Sequence, residues 1–161
     1  MILFSNRFFA AFIGFSIAAT VPLVGISAAG HAADIALRPD NAEIIKLGQA
    51  TYQAQCAACH GANLEGAANW RQRNADGRLP APPHDASGHT WHHPENMLFN
   101  ITKYGPATTR QAPDYKSDMP AYSDILNDDE IIAVLSYIKS SWPIQIRMRH
   151  DMMDRKARKA R

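Results

Sequence analysis

The sequence predicts an all-α fold of about three to four helices joined by long loops. Three observations carry that expectation. Ile131, Val134, Leu135, Ile138 and Trp142 recur at i, i+3, i+4, i+7 and i+11, one continuous helical stripe. Two segments open with a capping residue followed three positions later by Glu: Asp40 with Glu43, and Asn127 with Glu130. The body shows no convincing apolar–polar alternation of the kind that marks strands.

Taken in order, the 161-residue chain begins with an apolar leader. The first 32 residues hold 21 apolar ones and a single charge, Arg7. Phe8 to Ile26 is apolar or small apart from Ser16 and Thr20, and the small residues 27–33 come next. A basic start, an apolar stretch and a small-residue run describe a secretory signal peptide over 1–33, cut between Ala29 and Ala33. The alternative is an uncleaved anchor, since 19 residues just suffice to cross a bilayer. Either way the chain after Asp34 is expected outside the cytoplasm, in a periplasm, soluble or tethered through residues 8–26.

Charge divides the rest of the chain in two. Residues 34–146 carry nine Lys and Arg against thirteen Asp and Glu, and residues 147–161 carry seven against two. The formal net charge of +2 therefore hides an acidic body and a basic tail. No nucleic-acid partner is expected. The tail has no strong apolar stripe, so it reads as a mobile, solvated end. Its functional alternative is docking to an anionic membrane surface or an acidic redox partner.

The first helix is expected to start at Asp40 and to place Ile44, Leu47, Gly48 and Tyr52 on one face. Gly48 offers a place where Tyr137 or Ile138 of the last helix could press close. This first helix runs straight into Cys56-Ala-Ala-Cys59-His60-Gly61. Two cysteines spaced by two and followed at once by histidine are what covalent haem attachment needs. Both thiols and the imidazole then share one helical turn, with His60 as the fixed axial ligand of the iron. Competing explanations are a redox disulfide, which wants a βαβ context, a structural zinc site, which needs two more ligands, and chance. The presence of only two cysteines excludes a multi-disulfide scaffold. Export favours haem, because attachment of this kind occurs outside the bacterial cytoplasm.

A third helix is expected from Pro94 to Tyr104, with Pro94 at its first position and Gly105 as its stop. Met97, Leu98, Ile101 and Tyr104 would form its apolar face. The closing helix runs from Asn127 until Pro143 ends it. The second axial position of the iron is expected to fall to Met119, on a loop stiffened by Pro120, where a soft thioether can swing in. Rivals are His84, His89, His92 and His93, crowded into 84–93, one of which could ligate the iron. Together they could also hold a second metal such as copper or zinc, and Met148, His150, Met152 and Met153 could capture copper.

With these residues in view, the body from Asp40 to Trp142 resembles a class I monohaem cytochrome c. The matching parts are the helix with Gly48 and Tyr52, Cys56-Ala-Ala-Cys59-His60-Gly61, Leu64, the run 79–83, the 98–105 helix, Met119-Pro120-Ala121-Tyr122 and the closing helix. The resemblance implies one covalent, iron-containing haem c held by Cys56 and Cys59, with His60 proximal and Met119 distal. It also implies that a proline carbonyl, of Pro82 or Pro83, accepts the proximal imidazole N–H. The cytochrome domain would span 34–146. Residues 69–78 read as an insertion relative to the family pattern. The implied function is an electron carrier, not an enzyme, beyond weak peroxidase-like chemistry. It would shuttle single electrons among an oxidase, reductase or dehydrogenase. The alternative is a haem-containing sensor or metal-handling module.

Overall fold

The computed structural model describes residues 35–112 and 114–160; the leader expected at 1–33 lies outside them. Among the described residues there are six helices, one 3₁₀ turn and no strand. They are α1 (Ala42–Gln55), α2 (Ala57–His60), the 3₁₀ turn Thr90–His92, α3 (Glu95–Tyr104), α4 (Pro106–Thr109), α5 (Asp128–Ser140) and α6 (Ile144–Lys159). No described helix is long and apolar enough to cross a membrane.

The α1–α5 crossing organises the domain. The Asn41 side chain caps α1 by accepting from the Ile44 amide, one residue later than the expected Asp40. Asp40 instead accepts from Arg147 Nη2 through both carboxylate oxygens, at 2.6 and 2.7 Å. Asn127 and Glu130 form the expected reciprocal capping box on α5. The two helices touch at Gly48. A Cβ there would lie 2.0 Å from the Ala133 carbonyl oxygen and 2.9 Å from Tyr137 Cβ. Only glycine permits this approach, and the Tyr137 side of the expected contact is the one realised.

That crossing buries Tyr52, Ile131, Val134, Leu135, Ile138 and Trp142, joined by Leu64, Leu98, Phe99, Tyr122 and Leu126. Burying each large side chain is worth about 1.5–3 kcal/mol. The stripe read from α5 is therefore the core seam. On α3 the buried face is shifted from the expected one: Glu95, Leu98, Phe99 and Thr102 are buried, while Tyr104 is exposed. Pro94 is the N-cap and not the first helical residue.

The basic tail needs correction. Residues 144–159 form an ordered helix packed on the body. It is held by polar side chains, which is why no apolar stripe announces it. His150, Asp154 and Arg158, at i, i+4 and i+8, face inward. Asp154 Oδ1 accepts the Glu95 backbone N–H at 2.9 Å. It thereby caps α3, a service that the Pro94 N-cap has no side-chain oxygen to give. Glu95 is itself 5% exposed. Its carboxylate meets Lys139 at 2.8 Å, Arg158 at 3.0 Å and the Leu37 amide at 3.0 Å. Arg158 also pairs with Asp154 and donates to the Ile35 carbonyl. One carboxylate at the start of α3 thus ties together α5, α6 and the entering chain.

Candidate haem site

The site is built at the end of α1. The helix delivers Cys56 as its C-cap, and α2 follows at once as a single turn carrying Cys59 and His60. Two phenols fix the carbonyls on either side of this turn. Tyr122 Oη donates to the Gln55 carbonyl and Tyr52 Oη to the Gly61 carbonyl, each at 2.8 Å. Gly61 leaves the turn at φ +82°, where a side chain would also strike Glu65.

Cys56 and Cys59 are both free thiols, half-buried and exposed respectively. Burial, reinforced by the neighbouring Cys59, pushes the Cys56 thiol up to about 11. A redox-active C-x-x-C lowers a thiol pKa to make a thiolate at neutral pH; Cys56 is shifted the other way.

His60 is buried, 8% exposed. Its Nδ1 lies 2.8 Å from the Pro82 carbonyl oxygen. A carbonyl only accepts, so Nδ1 carries the proton and Nε2 keeps the lone pair that a metal needs. Burial holds the imidazole pKa below its ordinary value, against the pull of that carbonyl, so the ring stays neutral. Of the two candidate prolines, Pro82 is thus the acceptor. The Pro83 carbonyl receives a long bond from Thr90 Oγ1 at 3.4 Å.

His84 stacks on His60 with ring centroids 4.0 Å apart and planes 25° from parallel. Its Nδ1 is 2.8 Å from Thr90 Oγ1, and its carbonyl takes the Trp142 indole N–H at 2.8 Å. Burial, then the adjacent His60 and His89, pushes its pKa well below the ordinary value. His84 is thus a stacking neighbour of His60, a contact the sequence did not suggest.

The other histidines do not gather. His89 stacks on Trp70 at 5.2 Å and meets His93 only edge-on at 5.4 Å, while His92 packs on Trp91. Among the described residues, the one group of three or more His, Cys, Asp or Glu at ligating distance is Glu95, His150 and Asp151. Lys139 Nζ already bridges its two carboxylates, at 2.8 and 2.6 Å. The second metal site that 84–93 could have formed is therefore not assembled in this arrangement. The tail set fails too, because His150 is wholly buried while Met148 and Met152 are exposed.

Met119 is half-buried against the core cluster. Its loop is anchored by Tyr122, whose amide donates to the Thr102 and Lys103 carbonyls, and by the Met119 amide on Ser117 Oγ at 3.1 Å. The insertion at 69–78 closes over the same loop. Arg78 pairs with Asp118 at 3.0 Å, and Lys116 donates to the Asp76 carbonyl at 3.3 Å.

The donor set suits haem: two unbonded thiols and a neutral, pinned imidazole follow one another on one helical turn. An all-α domain with that turn defines the class of covalent haem proteins. A family model described as Cytochrome c matches residues 45–142, and the chain belongs to that family. No curated protein and no solved structure matches it. The chain accordingly carries one covalently bound haem c, with iron, and transfers electrons through it.

Proposed function

We propose that this is a periplasmic electron carrier whose haem iron is ligated by His60 and Met119. The observation that carries the proposal is the His60 ring, buried and tied to the Pro82 carbonyl at 2.8 Å, immediately after a pair of free thiols. When bound, the haem supplies a one-electron ferrous–ferric couple. Cys56 and Cys59 hold it to the chain. The Pro82 bond fixes the His60 ring and raises the donor strength of Nε2. Met119, on a loop braced by Tyr122 and by the Arg78–Asp118 pair, offers a thioether that favours the ferrous state. With His60 and Met119 both offered to the iron, the haem would serve outer-sphere transfer rather than oxygen activation. The leader at 1–33 supports export, and oxidases, reductases or dehydrogenases are the expected partners.

The visible spectrum of the exported protein tests the ligation. Low-spin bands and the weak far-red methionine-to-ferric band are expected. Met119→Ala should abolish the far-red band, lower the reduction potential and let carbon monoxide bind the reduced form. An unchanged spectrum in that variant would remove Met119 as ligand while leaving His60 untouched. Fractionation and amino-terminal sequencing of the product test export and cleavage.

A further inference from the structure

We propose that the outward face of α6 docks on an anionic lipid bilayer. The helix is 16 residues long, about 24 Å at 1.5 Å per residue, and it lies beyond the family match, which ends at residue 142. Its inward face is spent on the Glu95 hub. Its outward face carries Met148, Met152, Arg155, Lys156 and Lys159 at i, i+4, i+7, i+8 and i+11, so these share one side. Met148 and Met152 are each 58% exposed, as is Ile144 at the start of the helix.

The charge on that side is mostly of one sign. The two carboxylates of α6 are Asp151, paired with Lys139 at 2.6 Å, and Asp154, paired with Arg158 at 2.6 Å. Asp154 is turned to the body, and Asp151, its side chain 43% exposed, borders the outer face with its charge met by Lys139. The outer face therefore combines exposed thioethers with long basic stems, and the one acid at its edge is already paired. A straight helix with this mixture lies flat in an interface, its apolar side chains in the acyl boundary and its cations at anionic headgroups.

The entering chain favours a bilayer over an acidic protein. Described structure begins at Ile35, and the Ile35 carbonyl is bound by Arg158 near the end of α6. Only the eight residues 27–34 separate it from the apolar stretch 8–26, a reach of about 28 Å at most. A leader retained in a membrane would keep Ile35, and with it the Arg158 end of α6, within that reach of the surface. Arg147 in the first turn of α6 pairs with Asp40 at the start of α1, and Cys56 leaves the other end of that helix, about 21 Å along. Docking through α6 thus holds the protein at the bilayer by the end of α1 away from Cys56. The inference borrows from the export reading only the source of the bilayer.

The test is amine acetylation of the exported, haem-loaded protein, read lysine by lysine by mass spectrometry, with vesicles of phosphatidylglycerol or of phosphatidylcholine. Phosphatidylglycerol should slow acetylation of Lys156 and Lys159 several-fold, leave exposed Lys46 and Lys116 unchanged, and lose its effect at high salt. Changing Met148→Ser and Met152→Ser together, both at the surface, should return most of the reactivity. Equal reactivity of Lys156 and Lys159 with both lipids would overturn the proposal. So would protection by soluble polyglutamate as strong as by vesicles and unaffected by the two Met substitutions, which would assign the face to an acidic protein. A retained leader would seat the protein on both lipids alike, so the difference between lipids reads α6 alone, whatever the fate of the leader.

Discussion

His150 shows how one side chain couples the tail to the body. It is wholly buried, and its ring lies 5.2 Å from that of Trp142. Its Nε2 is 3.1 Å from the His93 carbonyl, so that nitrogen carries the proton, while buried Nδ1 has no hydrogen-bond partner. Burial first, and then the Lys139 charge, lower its pKa, outweighing Glu95, the His93 carbonyl and Asp151, which raise it. A base whose folded pKa lies below its unfolded value is neutral in both states above about pH 6.5, and the fold keeps its full stability there. Below that pH the unfolded chain takes up the proton first, and stability falls toward the folded pKa. Denaturation midpoints should therefore drop as pH is lowered from 7 toward 5. His150→Gln, which keeps an N–H for His93 but cannot titrate, should cost about 1 kcal/mol at pH 7 and flatten that slope. Some slope should remain, because His84, His89 and His93 are also held low, each first by burial. A slope identical to the parent's would remove His150 from the account. At this scale the sequence was legible where covalent spacing dictates chemistry: Cys56, Cys59 and His60 are read from adjacency alone. Pro82, His84 and Asp154 act on partners 22, 24 and 59 residues away in the chain, and no local pattern records such contacts.

At the scale of elements, periodicity made α1, α3 and α5 legible; their starts came within a residue of the expectation because capping chemistry is local, while α5 ends at Ser140, two residues short of the expected Trp142. Gly48 was legible as a close approach because a glycine inside a helix costs about 1 kcal/mol relative to alanine and needs a compensating contact. Gly48→Ala gains that propensity but drives a methyl into the Ala133 carbonyl, at 2.0 Å. Overpacking of this kind costs about 1–3 kcal/mol, and backbone cannot rotate away as a side chain can. The variant should be less stable by up to about 2 kcal/mol net, measured by chemical denaturation of the haem-loaded protein. α6 was illegible because its docking stripe is polar. Burial alone would raise the Asp154 carboxyl, but the Arg158 hydrogen bond and the Glu95 amide outweigh it and hold the pKa below the ordinary value. A carboxylate so depressed contributes stability that is present above its unfolded pKa and lost as pH falls through the folded one. Asp154→Ala removes the α3 cap and leaves the Arg158 and Glu95 groups short of a partner, at about 2–3 kcal/mol. Hydrogen exchange of the first-turn amides of α3 should rise with it, whereas a variant that loosened α6 alone would leave those amides protected.

For the whole molecule the question is what completes the core. Beyond the leader, the chain holds about two apolar residues in five, which is lean for a domain this small. At the cysteine end of α1 the described core is open: Cys56 and Met119 are half-buried and Cys59 is exposed. Domains of this size are stable by about 5–15 kcal/mol. Covering even roughly 200 Å² of apolar protein surface with porphyrin contributes about 5 kcal/mol at ~25 cal/mol per Å². The haem-free chain therefore sits near the threshold of folding, while the local and α1–α5 contacts keep their preference for helix. Cys56→Ala with Cys59→Ala, which removes both attachment points, should yield a chain that retains much of its far-ultraviolet helix signal, loses near-ultraviolet aromatic structure and unfolds without a sharp transition. The aromatic loss should centre on Tyr52 and Tyr122, whose phenols reach the Gly61 and Gln55 carbonyls across the turn that the haem would lock. A double variant that melted as sharply as the haem-loaded protein, at the same temperature, would mean that the helices close the core unaided. Cys56 and Cys59 lie at the C-terminal end of α1, whereas the ion pairs of the hub join α3, α5 and α6, and this makes a finer form of the prediction. Exchange protection should collapse first around residues 55–64 and 119–122, and last at Glu95, Lys139 and Asp154, whose ion pairs owe nothing to the cofactor.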